Sequence, residues 1–149
     1  MTSDGIADDD WDRVHELAVD IVNCSTAEDE AGEARAHASL VALLDQLEEK
    51  YGPKPSLLAT RADYVESLED RERLLRAAYE EARRMGDARN QELTADSLAH
   101  FFIEEALNHD QGARWLAVWR DALGNEPGPH ELGELARLES VLLRGGAAE

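Results

Sequence analysis

The chain has 149 residues and a formal net charge of −18, with 43% hydrophobic residues but only 5% aromatics. That length fits one domain able to bury a core without metals or disulfides, and an apolar stock made mostly of Leu and Ala favours helices over strands. The acidity disfavours nucleic-acid phosphates and anionic membranes as partners and favours basic protein surfaces.

The opening "MTSDGIADDD" is acidic and carries no apolar stretch, so a secretory signal is not expected. No run approaches the ~20 apolar residues of a membrane span. A cytoplasmic protein is the expectation. Cys24 is the single cysteine, which rules out an internal disulfide and a cysteine-based zinc site. Residues 1–7 and 145–149 are expected to fray at the two ends of a single domain covering 1–149.

In chain order, helix 1 lies in "DDDWDRVHELAVDIVNC", where Trp11, Val14, Leu17, Ala18, Ile21 and Val22 recur at three-four spacing. Ser25 with Glu28 three residues later reads as a capping box opening helix 2, "EDEAGEARAHASLVALLDQLEEKYG", which Gly52 and Pro53 stop. Helix 3 is "PSLLATRADYVES", with Pro55 in the first turn. Ser67 and Asp70 cap helix 4, "DRERLLRAAYEEARRMG"; Gly86 closes it in a left-handed conformation, and Asp87 caps helix 5, "ARNQELTADSLAHFFIEEALN". A turn from Asn108 to Gly112 precedes helix 6, "ARWLAVWRDALG", and "GNEPGP" precedes helix 7, "HELGELARLESVLLR". The reading is all-α: about seven helices joined by short turns.

Arginine is concentrated at one place. Six of the 15 basic residues, Arg71, Arg73, Arg76, Arg83, Arg84 and Arg89, fall within 19 positions, interleaved with Glu69, Asp70, Glu72, Glu80 and Glu81. That pattern predicts a salt-bridged outer face. Adjacent helical residues point about 100° apart, so Phe101 and Phe102 are not both expected to face the core. Trp115 and Trp119, one turn apart, are expected in the core between helices 5 and 7.

No catalytic or metal-binding constellation emerges. His15-Glu16 starts an H-E-x-x-H pattern, but the position four after His15 is Val19; Glu105 and His109 are one residue too far apart for the Glu-x-x-His of carboxylate-bridged metal bundles. There is no phosphate-binding glycine loop and no nucleophile elbow. A non-enzymatic protein with no cofactor is expected, and a helical-bundle metal enzyme is the least favoured alternative.

Leu-Ala pairs begin at Leu17, Leu58, Leu98 and Leu135, spaced 41, 40 and 37 residues apart in the odd-numbered helices. Large-small-x-x-large runs occur as Leu17-Ala18-x-x-Ile21 and Leu98-Ala99-x-x-Phe102, and partly as Leu58-Ala59-x-x-Ala62. In these features the chain resembles the tetratricopeptide-repeat-like family, although its spacing exceeds the family's usual period of about 34. The resemblance implies three antiparallel helical hairpins plus a C-terminal capping helix in an α-solenoid; a compact helical bundle of similar hairpins is the alternative. It also implies that the first helices line a concave partner-binding face. The positions that follow the signature are then Val19, Val22 and Asn23, then Thr60, Asp63 and Tyr64, then His100, Ile103 and Glu104, with Asp96 extending a polar i, i+4, i+8 stripe through His100 and Glu104.

"KPSLLATRADY" is similar to stretches of bacterial immunity proteins with this architecture. The function expected is a non-catalytic acidic module that binds and blocks a basic toxin partner. A general scaffold or adaptor is the alternative. Family members that clamp peptide carboxylates use basic grooves, and the groove expected here is acidic.

Overall fold

A computed structural model describes residues 1–147 of the chain, and among these residues all regular structure is helical. Seven α-helices follow in order: α1 (Asp8–Thr26), α2 (Glu30–Tyr51), α3 (Pro55–Ala62), α4 (Leu68–Met85), α5 (Ala88–His100), α6 (His109–Leu123) and α7 (Pro129–Ala147). A π-helical turn, Phe101–Glu105, continues α5 without a break. Each helix packs on the next in the chain, most extensively α1 on α2, α3 on α4 and α5 on α6. Short joints force such neighbours to run back along one another as hairpins.

Local chemistry sets most of the joints. Gly86 ends α4 at φ 68°, and the Asp87 amide bonds back to the Ala82 carbonyl at 2.8 Å, as in a Schellman closure. The Asp87 carboxylate then accepts from the Asn90 amide and starts α5. Ser67 caps α4 in the same way by accepting from the Asp70 amide, and Asn108 caps α6 by accepting from the Gln111 amide. The second of these moves the start of α6 earlier than expected, since residues 109–112 are helical.

Three expectations need correction. The expected Ser25–Glu28 capping box is absent: α1 runs on to Thr26, Glu28 turns the chain at φ 58°, and Asp29 caps α2 through the Gly32 amide at 2.9 Å. Helix α3 stops at Ala62 instead of continuing to residue 67. The Asp63 and Tyr64 amides fold back onto the Thr60 and Arg61 carbonyls, and the Arg71 guanidinium takes the carbonyls of Ala62 and Val65. Residues 1–7 do not fray, because Ile6 is fully buried and Asp4 and Ser3 bond to distant parts of the chain. At the other end, α7 includes 145–147, and residues 148–149 of the expected frayed tail lie outside the described residues.

The apolar side chains gather in two clusters. Ile6, Val14, Leu40, Leu44 and Leu47 fill the space between α1 and α2, joined by Leu57 of α3. Leu75, Leu98, Phe102, Trp115, Trp119 and Leu138 lead the second, which α4 to α7 enclose, and Ala62 of α3 belongs to it. Helix α3 thus contributes to both clusters, and both tryptophans of α6 are buried as expected, Trp119 beside His100 of α5 but Trp115 against Tyr79 of α4 and not between α5 and α7.

The π-helical turn explains why Phe101 and Phe102 are both buried, at 2% and 1% exposure, contrary to expectation. Its hydrogen bond runs from the Ala106 amide to the Phe101 carbonyl, one residue longer than in an α-helix. The wider turn brings Phe101, Phe102 and Ile103 inward together, with the two rings edge to face at 5.0 Å. Of the six arginines expected on a salt-bridged face, Arg71, Arg73, Arg76, Arg84 and Arg89 each pair with a carboxylate, and Arg83 is in none of these pairs. Arg76 also lies over the rings of Phe102 and Trp115.

Candidate functional site

Three recesses are neighbours, each sharing a lining residue with the next. Trp11, Val14, His15 and Ala18 of α1 meet Thr60, Asp63 and Tyr64 around the first, which has a volume of about 180 Å³. Asp63 also lines the second, of about 450 Å³, together with Arg71, Ser97, His100, Glu104 and Glu105. His100 in turn lines the third, of about 540 Å³, with Asp96, Trp119, His130, Glu131 and Glu134. Asp63 thus borders the first and second recesses and His100 the second and third, which makes the three neighbours.

The most tightly organised part of this region is the contact between α5 and α7. Asp96, His100 and Glu104 sit one turn apart along α5 and into the π-helical turn. His100 Nδ1 is 2.7 Å from Asp96 Oδ1, and its Nε2 is 3.0 Å from Glu134 Oε2 on α7. Arg137 donates to both oxygens of Glu104, at 3.0 and 3.2 Å, and reaches Glu134 at 2.8 Å. Three carboxylates thus enclose two cations.

This arrangement sets the protonation states. The hydrogen bond to Asp96 raises the His100 pKa to about 9; partial burial opposes the rise and Glu134 adds to it, so the ring is an imidazolium at neutral pH. Hydrogen bonds from Arg137 and then His100 hold the Glu134 carboxyl down at about 2. The Glu104 carboxyl is lowered by Arg137, its bidentate partner. With both ring nitrogens engaged by carboxylates, His100 has no free basic nitrogen to act as a general base near pH 7.

Asp63 behaves differently. The residue is exposed overall, yet neighbouring atoms crowd its carboxyl, and this loss of water raises its pKa; Arg71 opposes the rise and Glu105 adds to it. Solvent on its open side keeps the effect moderate. Arg71 is itself taken up by Glu105 and by the carbonyls of Ala62 and Val65. Tyr64 is held from behind, its ring edge to face with His37 at 5.8 Å and its carbonyl 3.1 Å from His37 Nε2.

Of the residues expected on a partner-binding face, Thr60, Asp63, Tyr64, Asp96, His100 and Glu104 lie along these recesses. Asn23 does not: it is exposed near the C-terminal end of α1, outside all three. Ile103 is a correction, because the π-helical turn buries it completely and no partner can reach it. Glu134, Arg137, Trp11 and His15 were missed. The i, i+3 spacing of Glu134 and Arg137 signals an ion pair on one helix, but nothing local places that pair opposite His100.

Among the described residues, no group of three or more His, Cys, Asp or Glu side chains is arranged to hold a metal ion, and no helix is long and apolar enough to cross a membrane. The chain matches no protein-family model, no curated protein and no solved structure.

Proposed function

We propose that this chain is a non-catalytic acidic protein-binding module of tetratricopeptide-like architecture, and that the face around its three recesses covers a basic surface of a partner protein. In its specific form the partner is a basic toxin domain, blocked in the manner of an immunity protein. One observation carries the reading: neighbouring recesses share Asp63 and His100, and the cations in their lining, Arg71, Arg89 and His100, together with Arg137 beside Glu104 and Glu134, each already pair with a carboxylate. What the face offers a partner is therefore negative charge, in line with the net −18 of the chain. Complementary charge of this kind speeds encounter and selects basic partners.

The experiment is co-expression with a basic domain encoded beside the gene, followed by purification and affinity measurement over a range of salt. The reading expects a stable complex, suppression of that domain's toxicity, and affinity falling steeply from about 50 to 500 mM salt. Charge reversal by Asp63→Lys with Glu131→Lys should weaken the complex by about tenfold or more. A complex indifferent to salt and to charge reversal would refute the acidic-face reading. A basic partner without toxicity would refute the toxin form and leave a scaffold or adaptor.

A further inference from the structure

Residues 2–6 form a turn closed on itself by hydrogen bonds. The Gly5 amide donates to the Thr2 carbonyl at 3.1 Å, the Ile6 amide to the Thr2 hydroxyl at 2.8 Å, and the Thr2 amide to the Ile6 carbonyl at 2.9 Å. Gly5 permits the closure at φ 95°, a conformation that side chains disfavour. Ser3 and Asp4 are thereby held at the tip of this strap, with Ile6 at its base.

Tip and base belong to different parts of the molecule. Ile6 is fully buried in the apolar cluster of α1 and α2, and α1 begins at Asp8, so the base moves with that hairpin. At the tip, the Asp4 carboxylate accepts from the Ser56 amide in the first turn of α3 at 2.7 Å. Ser3 Oγ donates to the Asp87 carboxylate and accepts from the Asn90 side-chain amide, both at 3.1 Å, at the start of α5. The strap therefore ties together the beginnings of α1, α3 and α5.

Other ties between the α1–α2 hairpin and the rest of the chain run to α3 and the turn after it. Leu57 sits in the hairpin's cluster, Tyr64 packs against that cluster and bonds through its carbonyl to His37, and Arg61 pairs with Asp45 and Glu48. The Arg61 pairs are partly open to solvent and so contribute little. Residues 52–54 connect the two parts, with Gly52 at φ 86°. The first recess lies across this seam, Trp11, Val14, His15 and Ala18 on one side and Thr60, Asp63 and Tyr64 on the other.

We infer that the Thr2–Ile6 strap is a latch on the α1–α2 hairpin. Docked on α3 and α5, it fixes the distance from α1 to α3 and with it the width of the recess between them. Undocked, the hairpin swings about residues 52–54 as a unit and the recess widens, while α3 to α7 keep their packing. The apolar side chains form two separate clusters, so each part keeps a core of its own. Leu57 lies in the first turn of α3, close to the pivot. The tip is held by hydrogen bonds, which exchange for water at small net cost, and release returns the buried Asp4 carboxylate to solvent. The latch does not depend on what the recessed face binds.

The test measures spin-label distances in the full chain, with Cys24→Ser removing the native thiol. Labels at Asp12→Cys and Glu69→Cys span the seam from α1 to α4, and labels at Glu69→Cys and Arg114→Cys span α4 and α6; all three positions are exposed. The latch is undone in two independent ways. Ser3→Ala with Asp4→Ala removes the tip contacts, and Gly5→Val unseats the turn through its φ without a clash, since nothing lies within 4 Å of an added Cβ. The parent should give one narrow distance for each pair. Both latch variants should add a longer seam distance in more than about a tenth of the molecules, above the usual share of a minor state, with the α4–α6 distance unchanged. A seam distance that stays at the parent value in both variants overturns the inference and leaves the strap as a cap on α3. Broadening of both label pairs overturns it as well, because it shows general loosening. Circular dichroism checks folding: where one variant loses its helical signal the other decides, and loss in both overturns the latch by making the strap part of the folding core.

Discussion

Asp4 accepts a hydrogen bond from the Ser56 backbone amide at 2.7 Å, so a residue near the start of the chain caps a helix 52 positions away. Lys54, the residue preceding α3, makes no side-chain cap, and the amide of Ser56 lies in the first turn, where no intrahelical acceptor exists. The other Asp4 oxygen accepts from the Thr2 hydroxyl at 2.6 Å, and the residue is only 2% exposed. Asp4→Ala would leave two donors without their acceptor. The expected loss is about 1–3 kcal/mol in urea-induced unfolding, the range for losing hydrogen bonds to a charged group. A loss within about 0.5 kcal/mol, the level of an ordinary surface change, would show that the strap does not stabilise α3.

Gly112 and Gly133 should respond to the same substitution with opposite signs. A Cβ on Gly112 would stand 2.5 Å from Ile103 Cγ1, and Ile103 is fully buried within the π-helical turn and has little room to move. Overpacking there costs about 1–3 kcal/mol and outweighs the roughly 1 kcal/mol that Ala gains over Gly in a helix. Around Gly133 in α7 nothing lies within 4 Å of the added carbon. Gly133→Ala should therefore stabilise by about 0.5–1 kcal/mol. If both variants melt above the parent, the close approach of α6 to the π-helical turn is wrong.

The features legible in the sequence were those encoded within four residues. Gly86 followed by Asp87, and Ser67 followed by Asp70, each act through their own local backbone, and their roles could be read without knowing the fold. The arginine belt was legible because its principal pairs lie three or four positions apart along one helix, as in Arg76 with Glu72 and Arg84 with Glu81. Asp29 displaced Ser25 because the sequence offers several capping groups in a row, and only the path of the chain into α2 selects among them. The π-helical turn was hidden for a different reason. A wider turn that buries Phe101, Phe102 and Ile103 together is part of the tertiary packing and has no local signature. The strap formed by residues 1–7 depends on Ser56 and Asp87, far along the chain, and composition alone suggested a loose end.

The clasp joining α5 and α7 should make stability depend on pH in two separate windows. His100 has a folded pKa of about 9, above the ~6.5 of an unfolded chain, so its contribution is fully present below about 6.5 and is lost as pH rises through about 9. Glu134 has its pKa depressed from 4.5 to about 2; its contribution is present above about 4.5 and is lost as pH falls through about 2. The clasp is therefore complete between about pH 4.5 and 6.5. His100→Gln should lower the melting temperature by about 2–4 °C at pH 6, the shift expected for loss of about one charge-assisted hydrogen bond, and the difference from the parent should shrink toward zero above pH 9. Arg137→Ala should also destabilise at neutral pH, because it leaves Glu104 and Glu134 facing each other with His100 as their remaining counter-charge. An NMR titration of the His100 ring in the full chain reads the first window directly. A midpoint near 9 is expected, whereas a midpoint near 6.5 would mean that Asp96 and Glu134 do not hold the imidazolium in solution.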